Sequence, residues 1–319
     1  MSSFSTYGLY GLCIRSELPL TAPPAPESSV ADLTAQWGEE LSATAAPPAG
    51  EVWAKADFGN GFGIQLTRTD AGWSLFYPQT GEFRLSADLR FATAHALPGK
   101  AAVLPLLLLG SVPAWWLNLR GEAVLHASAV ALGGEALAFI GASGMGKSTL
   151  ATLLCSAGAG LVSDDVLRLQ PDDGDFLCHW GTGELRLRPN AGSLTELFSP
   201  ASASRSADGR TTLLLAENET ALPRLRAIVI PQPSRVQTTV SVERLSAVEA
   251  SFHLNGYARV YGWQVDAPLR RQFELFARLA QAVPVLRATV PWGPPFAPEL
   301  ADQLLLATGF PRPSLRATT

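Results

Sequence analysis

The sequence predicts a mixed α/β protein with a smaller β-rich N-terminal domain and a larger C-terminal domain in which strands and helices alternate. Three observations lead to this class. Short strand-like segments separated by turns fill the first third of the chain. After about Gly121, β-rich runs alternate with helical patterns, and a glycine-rich segment joins one such run to a helix. We place the domains at 1–118 and 119–310, followed by a loose tail at 311–319.

Composition excludes several classes of protein. The chain has 319 residues, 47% of them hydrophobic, which is ample for a sizeable core. Its formal net charge of −4 does not suggest a general affinity for nucleic acid or anionic membranes. The N-terminus lacks the charged start and apolar run of a secretory signal. Three cysteines without metal-ligand spacing fit a reducing compartment. We therefore expect a cytoplasmic protein.

The most apolar segment is AAVLPLLLLGSVPAWWLNL, which Pro105, Gly110 and Pro113 interrupt. Its uninterrupted part is far shorter than the roughly 20 residues that cross a bilayer. The segment predicts a buried helix that breaks near Pro113, with Trp115 and Trp116 in the core.

In the N-terminal third, Leu9 to Ile14 is strand-like. The stretch from Thr21 to Gly50 is rich in Ala, Pro, Ser and Thr, which predicts an irregular excursion around one short helix near residues 31–41. A meander of four strands follows, at 52–58, 63–67, 72–77 and 82–85. No chemical motif lies here, so we expect a structural role or recognition of a partner.

In the C-terminal part, EAVLHASAVAL and EALAFIG flank Gly133-Gly134, a dipeptide that favours a tight hairpin. A helix is expected from Lys147 to Gly158 and a strand from Leu161 to Leu169. Further strands are predicted at 184–188, 211–215, 225–231 and 285–290, and further helices at 242–254, 269–282 and 298–306.

The segment between the hairpin and the first helix matches the phosphate-loop pattern G-x-x-x-x-G-K-[ST] in full. Its glycines let successive backbone N–H groups point inward, and the helix N-terminus adds positive potential. Lys147 should reach the outer phosphates and the Ser148 hydroxyl should ligate magnesium. The predicted nucleotide-binding residues are Gly141, Ala142, Ser143, Gly144, Met145, Gly146, Lys147, Ser148 and Thr149. ATP is the expected nucleotide.

Two adjacent aspartates, Asp164 and Asp165, end an apolar run one helix after the loop. We expect their strand beside the loop strand, with its carboxyl end opening toward the phosphates. Neighbouring strand residues point to opposite faces, so one carboxylate reaches the metal and the γ-phosphate while the other faces elsewhere, unless a bend lets both reach in. A kinase needs one carboxylate to handle the metal and a group to orient or deprotonate the acceptor. The structural alternative is an Asx-type turn or a solvated strand end.

His126 precedes the Gly-Gly hairpin. The turn centre places it opposite Gly141, at the mouth of the phosphate loop. An active-site role and a hydrogen-bonded core position both stay open for this histidine.

Together these residues resemble the catalytic core of the bacterial HPr kinase/phosphorylase family. The matching segment is HASAVALGGEALAFIGASGMGKSTLATLLCSAGAGLVSDDVLRL. The resemblance implies a fold like that of phosphoenolpyruvate carboxykinase, with ATP and Mg²⁺ as cofactors. It implies metal-handling roles for Ser148, Asp164, Asp165 and Glu184, and catalytic roles for His126, Lys147, Asp164, Asp165, Arg186 and Arg188. The segment ELRLRP lacks the glycines that the family carries there, so recognition of HPr and the reverse reaction are open.

The N-terminal segment YGLYGLCIRSELPL is similar to that of the stand-alone HPr-kinase-like proteins of lasso-peptide maturation. That resemblance implies a serine kinase whose partner is a precursor peptide, with phosphate transferred to its C-terminal serine. Two alternatives stay open: an HPr serine kinase/phosphorylase of carbon metabolism, and a non-catalytic ATP-binding regulatory module. We expect no nucleic-acid or membrane partner, and self-association stays open.

Overall fold

The computed structural model describes residues 3–26, 28–199, 202–206, 209–215 and 221–310, and at Ala123, Pro189, Asn190 and Gly192 it describes the backbone alone. The predicted tail at 311–319 lies outside these residues. The chain divides into two compact units, one of Met1–Gly121 with Val260–Arg271, the other of Glu122–Arg259 with Gln272–Thr319. Residues 260–271 thus belong to the first unit, although the sequence prediction placed them in 119–310.

The first unit is a β-sheet followed by two short helices. Its strands are β1 (Ser5–Leu9), β2 (Leu12–Ser16), β3 (Leu33–Trp37), β4 (Glu51–Gly59), β5 (Phe62–Thr69), β6 (Gly72–Tyr77), β7 (Gly81–Ser86) and β8 (Phe91–Ala96). Among the described residues, they form one sheet in the order β1-β2-β3-β8-β7-β6-β5-β4. The four predicted meander strands are confirmed as β4 to β7, and β8 was not predicted.

Two predictions in this unit are wrong. The strand expected at Leu9 to Ile14 is a hairpin, because Tyr10 and Gly11 adopt positive φ angles of 55° and 67° and reverse the chain. The helix expected near residues 31–41 is β3, which pairs with β2 and β8 in parallel. Leu33 and Ala35 are buried with a spacing of two residues, which is the period of a β-strand. Burial of alternate side chains therefore decided the conformation of this segment.

The apolar segment folds as α1 (Leu104–Leu109) and α2 (Ser111–Leu119). The helix breaks at Gly110 rather than at the predicted Pro113, because Pro113 lies in the first turn of α2, where a missing N–H costs nothing. Trp115 and Trp116 are buried, as predicted. No single helix of the described chain is long and apolar enough to cross a membrane. Segments 101–109 and 111–119 reach that length and apolar content only when taken together, and they are bent by 48° relative to each other.

The second unit is a mixed sheet covered by helices. Its elements are β9 (Ala123–Leu125), β10 (Ala127–Leu132), β11 (Glu135–Ile140), α3 (Lys147–Ser156), β12 (Gly160–Ser163), β13 (Leu167–Asp172), β14 (Asp175–Cys178), β15 (Glu184–Leu187), β16 (Ala203–Arg205), β17 (Thr211–Leu214), β18 (Arg224–Ser234), β19 (Ser241–Arg244), α4 (Ala247–Gly256), α5 (Asp266–Ala282, which begins in the first unit), β20 (Val285–Pro291) and α6 (Leu300–Ala307). The prediction of a mixed α/β protein is confirmed.

The main sheet of this unit runs β12-β10-β11-β18-β14-β13-β9 within the described chain, with β20 and β19 beside β18. Strands β11, β18 and β20 are parallel, so their carboxyl ends share one edge, where ligands bind in open α/β sheets. Side chains alternate between the two faces. Ala136 and Ala138 pack with α4 and α5 on one side, while Leu137 and Phe139 pack with α3 and α6 on the other.

Two predicted segments of the second unit differ in the structure. The strand expected at Leu161 to Leu169 is interrupted at the aspartates and forms β12 and β13. Strand β12 pairs with β10, not with the loop strand β11. The helix expected at Val242 to Leu254 is β19 followed by α4, because Ser246 and Glu249 form a capping box that starts the helix there.

Candidate active site

The phosphate loop lies between the carboxyl end of β11 and the N-terminus of α3. The hairpin of β10 and β11 has the predicted register, with Ala127 opposite Ile140. Gly144 and Gly146 have φ angles of 89° and 90°, a conformation that side chains disfavour. The loop borders an open cavity whose empty space of about 860 Å³ includes open solvent, and 15 residues line it. From the predicted nucleotide set, these include Ser143, Gly144, Gly146, Lys147, Ser148 and Thr149.

Lys147 bends back over the loop. Its Nζ donates to the carbonyls of Gly141 and Ala142 at 2.9 and 3.4 Å, and the residue is 8% exposed. Burial lowers the pKa of this amine, and the carboxylates of Asp164 and Asp165 act in the opposite direction. The lysine is thus a buried cation facing the cavity, where an anion would be its counter-charge.

Asp164 is the hydrogen-bonded centre of the site. Its Oδ1 accepts from the Ser128 hydroxyl at 2.5 Å and from the Ser148 hydroxyl at 2.9 Å, and its Oδ2 accepts from the Arg186 amide at 3.0 Å. Burial raises the pKa of Asp164, and the three hydrogen bonds oppose that rise. This carboxylate is therefore fixed in direction, with Ser148 of the phosphate loop as its neighbour.

Asp165 has the opposite electrostatic environment. Its Oδ1 lies 3.0 Å from Nδ1 of His126, and its Oδ2 accepts from Nη2 of Arg259 at 2.9 Å. Burial alone would raise the pKa of Asp165, but Arg259 and His126 outweigh it and hold that pKa well below its usual range. Asp165 is an ionised carboxylate at neutral pH.

Both aspartates border the cavity, because the strand ends at Ser163 and Asp165 adopts a φ of 75°. The left-handed turn removes the strict alternation that would have sent one carboxylate to the other face. This is the bend that the sequence left open. The two carboxylates thus face the phosphate loop together, each held by different partners.

The segment that follows α4 positions His126 and Arg259, the two partners of Asp165. Ala258 forms an antiparallel bridge with Leu125, His126 donates its amide to the Tyr257 carbonyl at 3.0 Å, and the Arg259 amide donates to Val124 at 3.1 Å. The segment 257–259 therefore runs beside β9 and brings the guanidinium of Arg259 to the aspartate.

Of the three side chains predicted from ELRLRP, two border the cavity. Arg186 and Arg188 do so, and Arg188 donates to the Ser143 hydroxyl at 2.6 Å. The Nη2 atom of Arg186 is buried and has no hydrogen-bond partner among the described residues. Glu184 is buried in β15 and is not among the residues that border the cavity.

Other predicted loop residues have different positions. Met145 borders an apolar cleft beside the phosphate cavity. Gly141 and Ala142 are outside the cavity lining and hold the Lys147 amine through their carbonyls. In the described part of the chain, no group of three or more His, Cys, Asp or Glu residues could hold a metal ion by itself.

Sequence reasoning missed Ser128, Arg210 and Arg259. Ser128 lies two residues after His126, and that spacing alone could have placed both on one face of the strand. Arg210 borders the cavity from the small sheet of β15, β17 and β16. Arg259 is 94 positions from Asp165, and no local pattern marks it.

Comparison with known proteins leaves the family open. No protein-family model matches the chain, and no curated protein matches it. Among solved structures, the chain is similar to the HPr(Ser) kinase/phosphatase from Coxiella burnetii, with 12% identity and a TM-score of 0.31 over 59% of this chain and 93% of that one. Values this low transfer no activity, so function has to be inferred from the site.

Proposed function

We propose that this protein is an ATP-dependent kinase that transfers the γ-phosphate to a serine hydroxyl of a peptide or small protein, acting in the cytoplasm. The observation that carries the proposal is the pair of aspartates. They face one phosphate loop in opposite electrostatic environments. Pairs of acidic groups whose surroundings push their pKa values apart are typical of divided catalytic roles.

Lys147, the amides of the phosphate loop and the guanidiniums of Arg186 and Arg188 would bind the phosphates of the nucleotide. The amine of Lys147, now on the carbonyls of Gly141 and Ala142, would turn to a phosphate oxygen when the nucleotide binds. The unpartnered Nη2 of Arg186 and the guanidinium of Arg188 face the same cavity. A guanidinium pairs well with tetrahedral phosphate and planar carboxylate, so these arginines would hold the transferring group or a carboxylate of the acceptor.

The residues around Asp164 fit Mg²⁺. The Asp164 carboxylate and the Ser148 hydroxyl are 2.9 Å apart, both are hard oxygen donors, and Mg²⁺ in kinase sites usually takes one or two carboxylates together with phosphates. When bound, Mg²⁺ would neutralise the charge of the phosphate oxygens. Ser128 and the Arg186 amide fix the direction of the carboxylate for this purpose.

Asp165 would receive the acceptor hydroxyl. The serine oxygen forms a bond to the γ-phosphorus, the bond from that phosphorus to the β-γ bridging oxygen breaks, and ADP leaves. The hydroxyl proton passes to the Asp165 carboxylate and then to solvent. His126 and Arg259 hold the carboxylate from both oxygens, which orients it for in-line attack.

The acceptor is inferred from the resemblance of the N-terminal segment to the lasso-peptide kinases, and the structure adds the cationic rim of Arg186, Arg188 and Arg210. A C-terminal serine carries its own carboxylate close to the hydroxyl. Guanidiniums beside the phosphate site therefore suit such an acceptor better than an internal serine.

The proposal is tested by incubating the protein with γ-labelled ATP and a peptide ending in serine, the same peptide ending in alanine, or HPr. We expect label on the serine peptide alone. Asp165→Asn should lower turnover by at least about 100-fold while ATP binding persists, because the acceptor loses its proton acceptor. Asp164→Asn should also lower the apparent affinity for Mg²⁺, and Asp302→Asn, an exposed aspartate of α6, is the matched control. Tight ATP binding without labelling of any acceptor would identify a regulatory module instead, and labelling of HPr alone would identify the carbon-metabolism kinase.

A further inference from the structure

An apolar cleft adjoins the phosphate cavity and has no part in the chemistry above. Its open space is about 490 Å³. Gly144, Gly146, Thr149 and Ala191 border both spaces. A ligand held at the phosphate loop can therefore extend into the cleft without leaving the protein surface.

The cleft lies at the carboxyl edge of the parallel strands. Pro231 and Pro233 come from the end of β18 and Val290 and Pro291 from the end of β20, where Pro233 is paired with Val290. Ligands of open α/β sheets bind at this edge. The phosphate loop follows the neighbouring parallel strand, β11, so the cleft is where the rest of a nucleotide would go.

The side chains around the cleft differ sharply from those around the phosphate cavity. The side chains around it are apolar except for Thr149, and none of them is charged. Trp292 borders it and is 50% exposed, and its backbone amide donates to the Ser234 carbonyl at 2.8 Å. Arg235 stacks on this indole at 4.4 Å from the ring centre. A partly exposed aromatic ring beside apolar side chains suits a flat, uncharged ring system.

We propose that this cleft is the nucleobase subsite, and that it holds the base by stacking on Trp292 and by apolar contact with Met145 and Phe296 rather than by side-chain hydrogen bonds. This inference rests on the proposed function, since it assigns the other end of the same nucleotide. A site that hydrogen-bonds polar groups rejects analogues strongly, whereas an apolar pocket discriminates weakly. The kinase should therefore accept GTP within about tenfold of ATP.

Calorimetric titration of the full-length protein with ATP and with inorganic tripolyphosphate tests the assignment. Trp292→Ala should weaken ATP binding about tenfold, because base stacking on an aromatic ring contributes on that scale, and should leave tripolyphosphate binding within twofold. Trp292→Phe should retain most of the ATP affinity. Trp37→Ala, which removes a partly exposed tryptophan of β3 in the first unit, is the matched control and should change neither.

The outcomes separate this inference from the proposed function. Equal affinity of Trp292→Ala and wild type for ATP, or an equal loss for ATP and tripolyphosphate, would overturn the nucleobase subsite alone. An ATP preference over GTP above about 100-fold would overturn the mode of recognition. Failure of the wild-type protein to bind either ATP or tripolyphosphate would overturn the proposed function as well. A Trp292→Ala variant that raises KM only for the peptide would assign the cleft to the acceptor.

Discussion

Arg259→Met is the sharpest test of the proposed division of roles, because it removes the positive charge beside Asp165 and keeps the length and apolar stem of the Arg259 side chain. The guanidinium lies 2.9 Å from the carboxylate. At that distance, two unit charges attract by about 1.4 kcal/mol in water and about 6 kcal/mol at an effective dielectric constant near 20. The side chains of Arg259 and Asp165 are 20% and 36% exposed. Solvent screening therefore places the attraction between them toward the lower value, at about 2 kcal/mol.

The expected consequence for catalysis has a defined sign. Arg259 helps to hold the pKa of Asp165 low, and in the proposed mechanism the ionised form of Asp165 accepts the proton. Without the guanidinium, that pKa rises, so activity should fail at a higher pH than in the wild type when the pH is lowered. Loss of one of two orienting contacts should also lower kcat about 10- to 100-fold at neutral pH. His126 retains the second contact, so the loss should be smaller than for Asp165→Asn.

The assay is the initial rate of peptide phosphorylation between pH 3 and 8, with saturating ATP, because the usual pKa of an aspartate, about 3.9, already lies below pH 5. Arg224→Met is the matched control, because Arg224 forms an ion pair with Asp175 at 3.0 Å on the same sheet but away from the cavity. Arg259→Lys should restore part of the rate and most of the acid limb. An unchanged kcat and acid limb in a folded, ATP-binding Arg259→Met protein would refute the positioning role. A fall in activity that is accounted for by a lower melting temperature would make the role purely structural.

Three further predictions concern stability. Burial lowers the pKa of His179 from 6.5 to about 4, so folding disfavours its protonation and stability is lost as the pH falls from 6.5 toward 4. Between pH 7 and pH 5, the free energy of unfolding in urea should fall by about 2 kcal/mol more in the wild type than in His179→Gln. Equal losses in the two proteins would contradict this. Ser246→Ala removes the capping box of α4 and should cost about 1 kcal/mol in urea unfolding, with a change below about 0.3 kcal/mol counting against the cap. Leu154→Ala opens a cavity at a side chain 1% exposed and should cost about 2–5 kcal/mol, whereas a cost under 1 kcal/mol would mean that α3 repacks.

The sequence predicted best what depends on neighbours along the chain. The hairpin register followed from Gly133-Gly134, and the loop between strand and helix followed from its glycines and lysine. Both are decided within a few residues by backbone geometry. The edge position of β12 was missed, because strand pairing across a sheet depends on packing that no local pattern records.

The partners of the aspartates show the same limit at the site. Asp164 and Asp165 were visible as a pair, but the fold collects their partners Ser128, Arg186 and Arg259 from distant segments. Burial raises the pKa of Asp164 against its hydrogen bonds, whereas Arg259 and His126 lower that of Asp165. Arg186 was predicted from the family resemblance, Ser128 could have been found from its spacing of two from His126, and Arg259 carried no local signal. The positive φ of Asp165 was also beyond the sequence, because it depends on how the chain leaves β12.

A proton acceptor with a pKa held well below its usual range is, at first sight, poorly chosen, since general bases work best when their pKa lies near the operating pH. Phosphoryl transfer has a different requirement. Its transition state is loose, and catalysis is largely positioning and electrostatic stabilisation, so the acceptor hydroxyl needs an oriented hydrogen-bond acceptor more than a strong base. Asp165 fits that need, because His126 and Arg259 each fix one of its oxygens. In the proposed mechanism, the same ion pairs that weaken Asp165 as a base would orient it toward the attacking oxygen, and Asp164, hydrogen-bonded to two serines and an amide, would bind the metal.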